Sequence, residues 1–338
     1  MESSNVVLET KDLKTYFPIR EGVLKRTVGY VKAVDGVNLK LYGNETLGVV
    51  GESGCGKTTL LKTIIGAIRP SGGQILFHHD RDYVDIATLD RAGLRQARRH
   101  MQMIFQDPYS SLNPRVPVWE VIGEPLLVNK ILTGDELRER VEELLNQVGL
   151  EGSYMHRYPH AFSGGQRQRI GVARALALSP RVILCDEPTS ALDVSVQAQI
   201  LNLMIRLQRE YELSYLFITH DLGVVRHISD RVAVMYVGRV VEVARTVELF
   251  ARPRHPYTEA LLSAVPKPDP RGKTNRIILR GDVADPANVP AGCPFHPRCK
   301  YAQDICRIEA PPLEPVAGDR ERVAACHFKD ELELASHL

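Results

Sequence analysis

The segment Gly51–Thr58, GESGCGKT, restricts the fold of this chain more than any other feature. A glycine is followed by four residues and Gly-Lys-Thr, after the apolar run TLGVV and before a helical pattern. Glycines let backbone NH groups turn inward around phosphates, and the N-terminus of the following helix adds a partial positive charge. The order strand, loop, helix therefore predicts an α/β fold with a nucleotide phosphate site.

Within this loop, Lys57 supplies a full positive charge and Thr58 a hydroxyl for magnesium. Cys55 is interpreted as a small residue filling a loop position, not as a reactive thiol. We expect ATP to contact most of the segment. The predicted contact residues are Gly51, Glu52, Ser53, Gly54, Cys55, Gly56, Lys57, Thr58 and Thr59.

Short apolar runs alternate with helical patterns along most of the chain. Examples are TLGVVG before KTTLLKTIIGAI, RVILCD before VQAQILNLMIRLQ, and YLFITH before DLGVVRHI. This alternation predicts a mixed, mostly parallel sheet covered by helices. Between about 107 and 178 the sequence is helix-rich, with Pro108, Pro114, Pro117 and Pro125 near its start, which indicates a helical subdomain inserted in the sheet domain.

The length of 338 residues favours one large domain with an appendage, or two domains. The stretch AVPKPDPRGK has three prolines within five residues and predicts a boundary. We therefore expect a nucleotide-binding domain over 1–265 and an irregular, cysteine-containing extension over 266–338. The extension lacks long periodic segments, so something other than a large apolar core must hold it.

Charge and hydropathy give little information about the ligand but do indicate a location. With 43 basic and 41 acidic residues, the net charge of +2 gives no overall reason to expect a polyanion such as DNA as the main partner. No run approaches the roughly 18–20 apolar residues of a membrane span, and the start MESSNVVLETKD lacks the features of a signal peptide. A soluble, cytoplasmic chain is expected.

Two acidic residues, Asp186 and Glu187, end the apolar strand RVILCD. Ligands of α/β sheets bind at this end of the strands, and adjacent residues there point in different directions. We predict that Asp186 holds magnesium and that Glu187 faces the attacking water; solvated turn acids before Pro188 are the alternative. His220 follows the next strand, where a lone histidine is usually structural, but its position beside Glu187 favours a γ-phosphate contact.

The segment Phe162–Gln166, FSGGQ, followed by RQRIGVARALALSP, resembles the signature sequence of ABC ATPases, with Phe where Leu is commonest. Ser163 is expected to cap a helix, where Gly164 and Gly165 allow close approach of a phosphate. Gln166 completes this second anion site. In ABC ATPases two chains pack head to tail, each signature closing over the partner's ATP, and the resemblance implies that arrangement here.

The other family elements occur in order. Gln106, in MIFQD, matches the residue that binds magnesium, senses the γ-phosphate and lies in the loop touching the membrane subunit. Asp193 ends SALD, which matches the dimer-contact loop. Phe17, in LKTYF, lies where the family stacks an aromatic ring on adenine; Tyr16 and Tyr30 are alternatives, and core packing is another reading of Phe17.

Four longer stretches look like the oligopeptide and dipeptide importer subfamily: FQDPYSSLNPR, HAFSGGQRQRIGVARAL, THDLGVVRHISDRVAVMYVGRVVE and RHPYTEALLSAVP. The resemblance implies an ATP-hydrolysing subunit, paired with an identical or homologous ATPase. It also implies docking on two membrane permeases at the cytoplasmic face of the membrane, with a substrate-binding protein supplying the substrate. Relatives with this pattern also import nickel or oligosaccharides, so the transported substrate stays open.

The cysteines of the extension are Cys293, Cys299, Cys306 and Cys326. In a reducing compartment such a cluster indicates metal binding before disulfides. The spacing lacks the close pair typical of structural zinc, and looser spacing suits an iron-sulfur cluster. Importer ATPases that the chain resembles include members with a 4Fe-4S centre, which implies one here as a structural staple. Zinc and unmetallated thiols are the alternatives.

The sequence argues against two other classes of function. A soluble ABC ATPase acting on DNA would carry long coiled coils between Gln106 and Ser163, yet these residues are only 163 − 106 = 57 positions apart. Ribosomal relatives carry two ATPase domains in one chain. A P-loop kinase would leave the 162–166 segment unexplained. No nucleic-acid partner is therefore expected.

Overall fold

The computed structural model describes residues 5–23, 25–79, 82–107, 112–265, 277–279 and 281–335. The first proline of the predicted insertion, Pro108, lies outside these ranges. So do residues 266–273, which form most of the proline-rich stretch at the predicted boundary.

An eight-stranded sheet forms the centre of the fold, in the order β11-β12-β10-β9-β3-β8-β7-β6. All neighbours from β9 through β6 are parallel, and those from β9 through β11 are antiparallel. Its strands are β3 Thr46–Val50, β6 Met101–Ile104, β7 Val182–Asp186, β8 Ser214–Ile218, β9 Arg231–Tyr236, β10 Arg239–Arg245, β11 Glu314–Val316 and β12 Asp319–Ala324. Every residue of β3, β7 and β8 is buried, as expected for parallel strands covered on both faces.

A second, antiparallel sheet has the order β2-β1-β4-β5. Its strands are β1 Val6–Glu21, β2 Arg26–Tyr42, β4 Gly72–His79 and β5 Asp82–Asp85. Apolar residues of this sheet, such as Leu13 and Val34, share one buried cluster with Leu60 and Leu61 of the first helix. The small sheet therefore packs against the helix that follows the glycine-rich loop.

The helices are α1 Lys57–Ile64, α2 Arg91–His100, α3 Val118–Val128, α4 Gly134–Gln147, α5 Gly164–Leu176, α6 Val194–Tyr211, α7 Leu222–Ile228, α8 Thr246–Ala251, α9 Pro256–Ser263 and α10 Ile305–Ile308. Helices α3, α4 and α5 lie between β6 and β7 and bury Val121, Val141 and Ile170 in one cluster. This confirms the predicted α/β fold with a mixed sheet and a helical insertion.

In its described residues the extension contains little regular structure, but it adds two strands to the central sheet. β12 pairs with β10, aligning Ala324 with Glu242. The fully buried carboxylate of Glu242 accepts a hydrogen bond from Arg322 at 3.0 Å and from the backbone NH groups of Arg254 and His255 at 2.9 and 3.0 Å. A strand ladder and a buried ion pair thus fasten the extension.

Within the described ranges, no helix is both long enough and apolar enough to cross a bilayer.

Candidate nucleotide-binding site

The glycine-rich loop connects β3 to α1 and packs tightly against its surroundings. A Cβ atom at Gly51 would lie 2.2 Å from the carbonyl oxygen of Met235, and one at Gly56 would lie 1.9 Å from that of Ala33. Gly56 also has a φ of 105°, which side chains rarely adopt. Only glycine fits at these two positions, while Ser53 and Gly54 at the tip of the loop are exposed.

Lys57 is buried against this loop. Its ammonium group donates hydrogen bonds to the carbonyl oxygens of Gly51 at 2.8 Å and Glu52 at 3.0 Å. Cys55 is also buried, and burial raises the pKa of its thiol, so the group stays neutral at pH 7. The loop therefore holds one full positive charge, on Lys57.

Thr58 and Asp186 are 128 positions apart in sequence, but the hydroxyl of Thr58 donates to Oδ1 of Asp186 at 2.9 Å. Asp186 is the last residue of β7 and is buried, and burial raises the pKa of its carboxyl group. A hydroxyl and a carboxylate oxygen at this spacing are ligands of the kind that Mg²⁺ prefers. Thr59 lies half-buried in the first turn of α1.

Glu187 lies at the centre of a hydrogen-bonded group of three side chains. Its Oε2 atom accepts a hydrogen bond from Nε2 of Gln106 at 3.2 Å and lies 2.9 Å from Nδ1 of His220. Its backbone adopts a φ of 45°, in the left-handed region, and its NH group donates to Ile218 of β8 at 3.0 Å. His220 lies two residues beyond the end of β8.

The signature segment forms the start of α5. Gln166 donates its backbone NH to the hydroxyl of Ser163 at 3.3 Å and accepts from the Ser163 NH at 3.0 Å, which is a capping box. A Cβ atom at Gly165 would lie 2.3 Å from Val196 of α6, so a glycine is required for α5 to approach α6 this closely. Gly164 lies half-buried at the first position of α5.

Asp193 lies just before α6 and is exposed. The dimer-contact role of Asp193 stays a prediction.

The candidate adenine-stacking rings are in the β1–β2 hairpin. Phe17 and Tyr30 are 39% and 51% exposed. Tyr16 is half-buried and donates its hydroxyl to Asp35, which also accepts two hydrogen bonds from Arg239 at 2.9 and 2.7 Å. Burial, followed by the interaction with Asp35, raises the pKa of Tyr16 to about 12. The choice among the three rings stays a prediction.

Two residues that contact the loop were missed by the sequence reasoning. The hydroxyl of Tyr257 in α9 accepts a hydrogen bond from the Glu52 NH at 2.9 Å. Arg298 of the extension donates to both carboxylate oxygens of Glu52, at 2.7 and 3.0 Å. Tyr257 lies in the stretch RHPYTEALLSAVP, which indicated a subfamily but carried no information on what its side chains contact.

Comparisons with known proteins agree with this geometry. Residues 34–190 match the model of the ABC transporter family, and residues 241–306 match the model of the oligopeptide/dipeptide transporter C-terminal region. The oligopeptide transport ATP-binding protein AppF of Bacillus subtilis is 53% identical over 96% of this chain and 98% of its own length. OppF of Salmonella typhimurium is 49% identical over 98% of this chain and 99% of its own length. The chain belongs to the oligopeptide transport ATP-binding family of ABC transporters.

Solved structures of ABC proteins have the same fold as this ABC ATPase. CbiO1 from Clostridium perfringens, part of the cbiONQ transporter complex, has a TM-score of 0.61 and 30% identity over 73% of this chain and 91% of its own. A dimeric, post-hydrolysis ATP-binding cassette bound to ADP and Pi has a TM-score of 0.61 and 29% identity over 71% of this chain and 98% of its own. The family and ATPase predictions are confirmed.

The four cysteines of the extension of this ABC ATPase line one small cavity of about 20 Å³, together with Phe295 and Phe328. Burial, supplemented by repulsion between the sulfurs, raises the pKa of Cys299 to about 11 and that of Cys326 to about 12. In the part of the chain that the structure describes, no group of three or more His, Cys, Asp or Glu side chains is arranged to hold a metal ion. The cofactor prediction is therefore supported for ATP and Mg²⁺ but not for a 4Fe-4S cluster.

Proposed function

We propose that this ABC ATPase powers the import of oligopeptides or dipeptides. The observation that carries the substrate class is the match of residues 241–306 to the oligopeptide/dipeptide C-terminal region. This region contains α9 and three of the four cysteines, and two of its residues, Tyr257 and Arg298, hold the glycine-rich loop. Import of oligosaccharides or nickel is the second candidate.

The proposed ATP site uses the geometry of the loop directly. Amide groups of Gly51–Thr58 and the ammonium group of Lys57 would bind the β- and γ-phosphates. Mg²⁺, held by Thr58, Asp186 and Gln106, would screen the phosphate charge. Of these three side chains, Thr58 and Asp186 lie within hydrogen-bond distance of each other, which supports their shared role.

Glu187 is the proposed base or positioning group for the attacking water. Its carboxylate is oriented from two sides, by the amide of Gln106 and the imidazole of His220. His220 is also the proposed γ-phosphate contact. A carboxylate held in one orientation at the end of β7 can accept a proton from water, which general-base catalysis requires.

The proposed working unit is a dimer with an identical or homologous ATPase. The start of α5, from Ser163 to Gln166, would close over ATP held by the partner subunit, and Asp193 would contact that subunit. ATP binding would close the dimer, while hydrolysis and release would reopen it. The helical insertion near Gln106 would pass the motion to two membrane permeases fed by a substrate-binding protein. The ATPase would therefore lie at the cytoplasmic face of the membrane.

We further propose that residues 1–265 form the nucleotide-binding domain and that 266–338 form an extension folded onto it. Two observations support this division. The helix α9 ends at Ser263, and the strands β11 and β12, which both lie after residue 265, extend the central sheet beyond β10.

The four thiols of the extension are proposed to hold a 4Fe-4S cluster that staples this segment. The four thiols line one small cavity of the extension. A cluster gives each thiolate its own iron, and the spacing of the cysteines in sequence lacks the close pair typical of structural zinc. The test is iron and sulfide analysis of anaerobically purified protein. Cys299→Ser should lower both, the buried Cys185→Ala should not, and a folded, iron-free extension would contradict the cluster.

Uptake measurements test the substrate. The ATPase would be expressed with its neighbouring permeases and binding protein in cells that lack their own peptide importers. We expect uptake of labelled peptides that Glu187→Gln abolishes. Glu187-dependent uptake of oligosaccharide or nickel, without peptide uptake, would favour the second candidate.

A further inference from the structure

The glycine-rich loop is held at Glu52 by residues that lie far from it in sequence. The carbonyl oxygen of Glu52 accepts from Lys57, its NH group donates to Tyr257, and its carboxylate binds Arg298 through both oxygens. The Arg298 side chain is 8% exposed and that of Glu52 is 26% exposed. Two-point pairing of this kind fixes orientation as well as charge.

Arg298 is placed by the cysteine-bearing segment. It ends the short turn His296–Arg298, immediately before Cys299. The preceding ring of Phe295 packs against Tyr257 at 5.4 Å between ring centroids and against Tyr236 at 5.3 Å. Tyr257, which contacts Glu52, and Phe295, which lies shortly before Arg298 in sequence, therefore pack in one aromatic cluster. This packing limits how far Arg298 can move.

The charge of Glu52 matters because the loop would bind a triphosphate. An unpaired carboxylate on the loop that would bind the β- and γ-phosphates would repel them. The paired guanidinium cancels this charge, and its hydrogen bonds to Glu52 raise the pKa of Arg298 further, so the group stays cationic. The loop of this chain therefore depends on a cation supplied by the extension.

We propose that Arg298 is a positioning residue for ATP. Arg298 neutralises Glu52 and orients the loop, so the ATP affinity depends on the folded state of the cysteine-bearing segment. The inference rests on the proposed role of Gly51–Thr58 in phosphate binding. It assigns to the extension a direct effect on the nucleotide site.

The test is the equilibrium dissociation constant for a fluorescent ATP analogue, measured without hydrolysis. Arg298→Met leaves Glu52 bare and should weaken binding about tenfold, which corresponds to about 1.4 kcal/mol. Arg298→Lys keeps the charge without the two-point geometry and should fall between wild type and Arg298→Met. The loss in Arg298→Met should shrink at 0.5 M salt, because salt screens the repulsion.

Rescue separates this role from a merely structural one. The double variant Arg298→Met/Glu52→Gln removes both charges and should restore affinity to within about threefold of wild type, since no bare carboxylate remains. Lys300→Gln is the matched control, because Lys300 flanks Cys299 on the other side and pairs with Glu259 at 3.3 Å instead of with the loop. It should leave the affinity unchanged.

Dependence on the cysteine segment is tested with Cys299→Ser. This variant should weaken ATP binding in the wild-type background and have little effect in Arg298→Met/Glu52→Gln, because the charge that needs cancelling is gone. Equal effects in both backgrounds would overturn the dependence on Arg298.

Lys57→Ala distinguishes failure of this inference from failure of the proposed site. If Lys57→Ala loses ATP binding while a folded Arg298→Met binds ATP normally, the positioning role of Arg298 is wrong and the loop assignment stands. If Lys57→Ala also binds normally, the loop assignment itself fails.

Discussion

The two helix starts predicted to bind phosphate differ in how much of the site the chain itself supplies. The loop before α1 is held by several side chains of its own chain. Lys57 donates to carbonyl oxygens of the loop, Tyr257 accepts from a backbone NH group, and Arg298 pairs with its one carboxylate. The start of α5 is capped by its own Ser163 and Gln166, and Ser163 is exposed. A helix start with free NH groups thus occurs twice, once at a loop held by other side chains of the same chain and once at an exposed position, the open site. This difference supports the proposal that the open site meets ATP held by a partner.

The largest expected effect is on hydrolysis of the ATP that the glycine-rich loop would hold. Glu187→Gln removes the proposed base but keeps a similar shape, so phosphate release should fall roughly 10²- to 10⁴-fold while ATP still binds. Because closure would precede hydrolysis, an ATP-dependent dimer should accumulate on size-exclusion chromatography. Turnover near the wild-type rate would remove Glu187 from its proposed role.

Next in size is the loss of ATP affinity in Lys57→Ala. The change removes charge-assisted hydrogen bonds to phosphate, each of which is worth about 1.5–3 kcal/mol, so affinity should drop about 10- to 100-fold. Lys62→Ala, on the exposed side of the same helix, is the matched control and should change the affinity little. Titration with a fluorescent nucleotide measures both, and equal effects of the two changes would contradict the assignment.

At the open site, Gly165→Ala should act on the dimer and not on ATP binding by one chain. The added methyl group would push α5 away from Val196 and cost about 1–3 kcal/mol in positioning. We expect ATP-driven dimer formation in the Glu187→Gln background to weaken at least about fivefold. Gly171→Ala lies on the same helix with open space around it and should preserve the dimer. Loss of monomer ATP affinity in Gly165→Ala would show that the two sites are not separate.

The smallest effect is expected for Ser163→Ala. Loss of an N-cap lowers the free energy of unfolding by about 0.5–2 kcal/mol, measurable by urea denaturation. ATP affinity of the single chain should stay unchanged, because the Ser163 hydroxyl accepts from Gln166 of its own helix and not from the glycine-rich loop. An unchanged unfolding midpoint would mean that the capping box contributes nothing measurable to stability.

Local patterns were sufficient to predict much of this molecule. The glycine-rich loop, the acidic end of β7 and the cap at Ser163 each depend on residues within a few positions, and their structures follow from short-range rules. The neighbouring positions of Glu187 and His220 were expected because strands of a parallel sheet end on one edge, whereas Gln106 was assigned through the resemblance to ABC ATPases. The catalytic and binding roles of these residues stay predictions.

Contacts between distant parts of the chain were not predictable in the same way. Arg298 and Glu52 are 246 positions apart, and neither has a local pattern that indicates a partner. The strand β12, DRERVA, is polar and short, so its pairing with β10 could not be recognised from hydrophobic periodicity. Such pairings depend on where the extension returns, which tertiary packing determines.

The strand β12 also has a protective consequence. Without the extension, β10 would become an edge strand of apolar sequence, with unpaired backbone groups ready to join a strand of another molecule. The buried Glu242 carboxylate would lose Arg322 at the same time. A chain shortened at residue 265 should therefore aggregate. By pairing with β10, the extension prevents this edge of the sheet from pairing with other molecules.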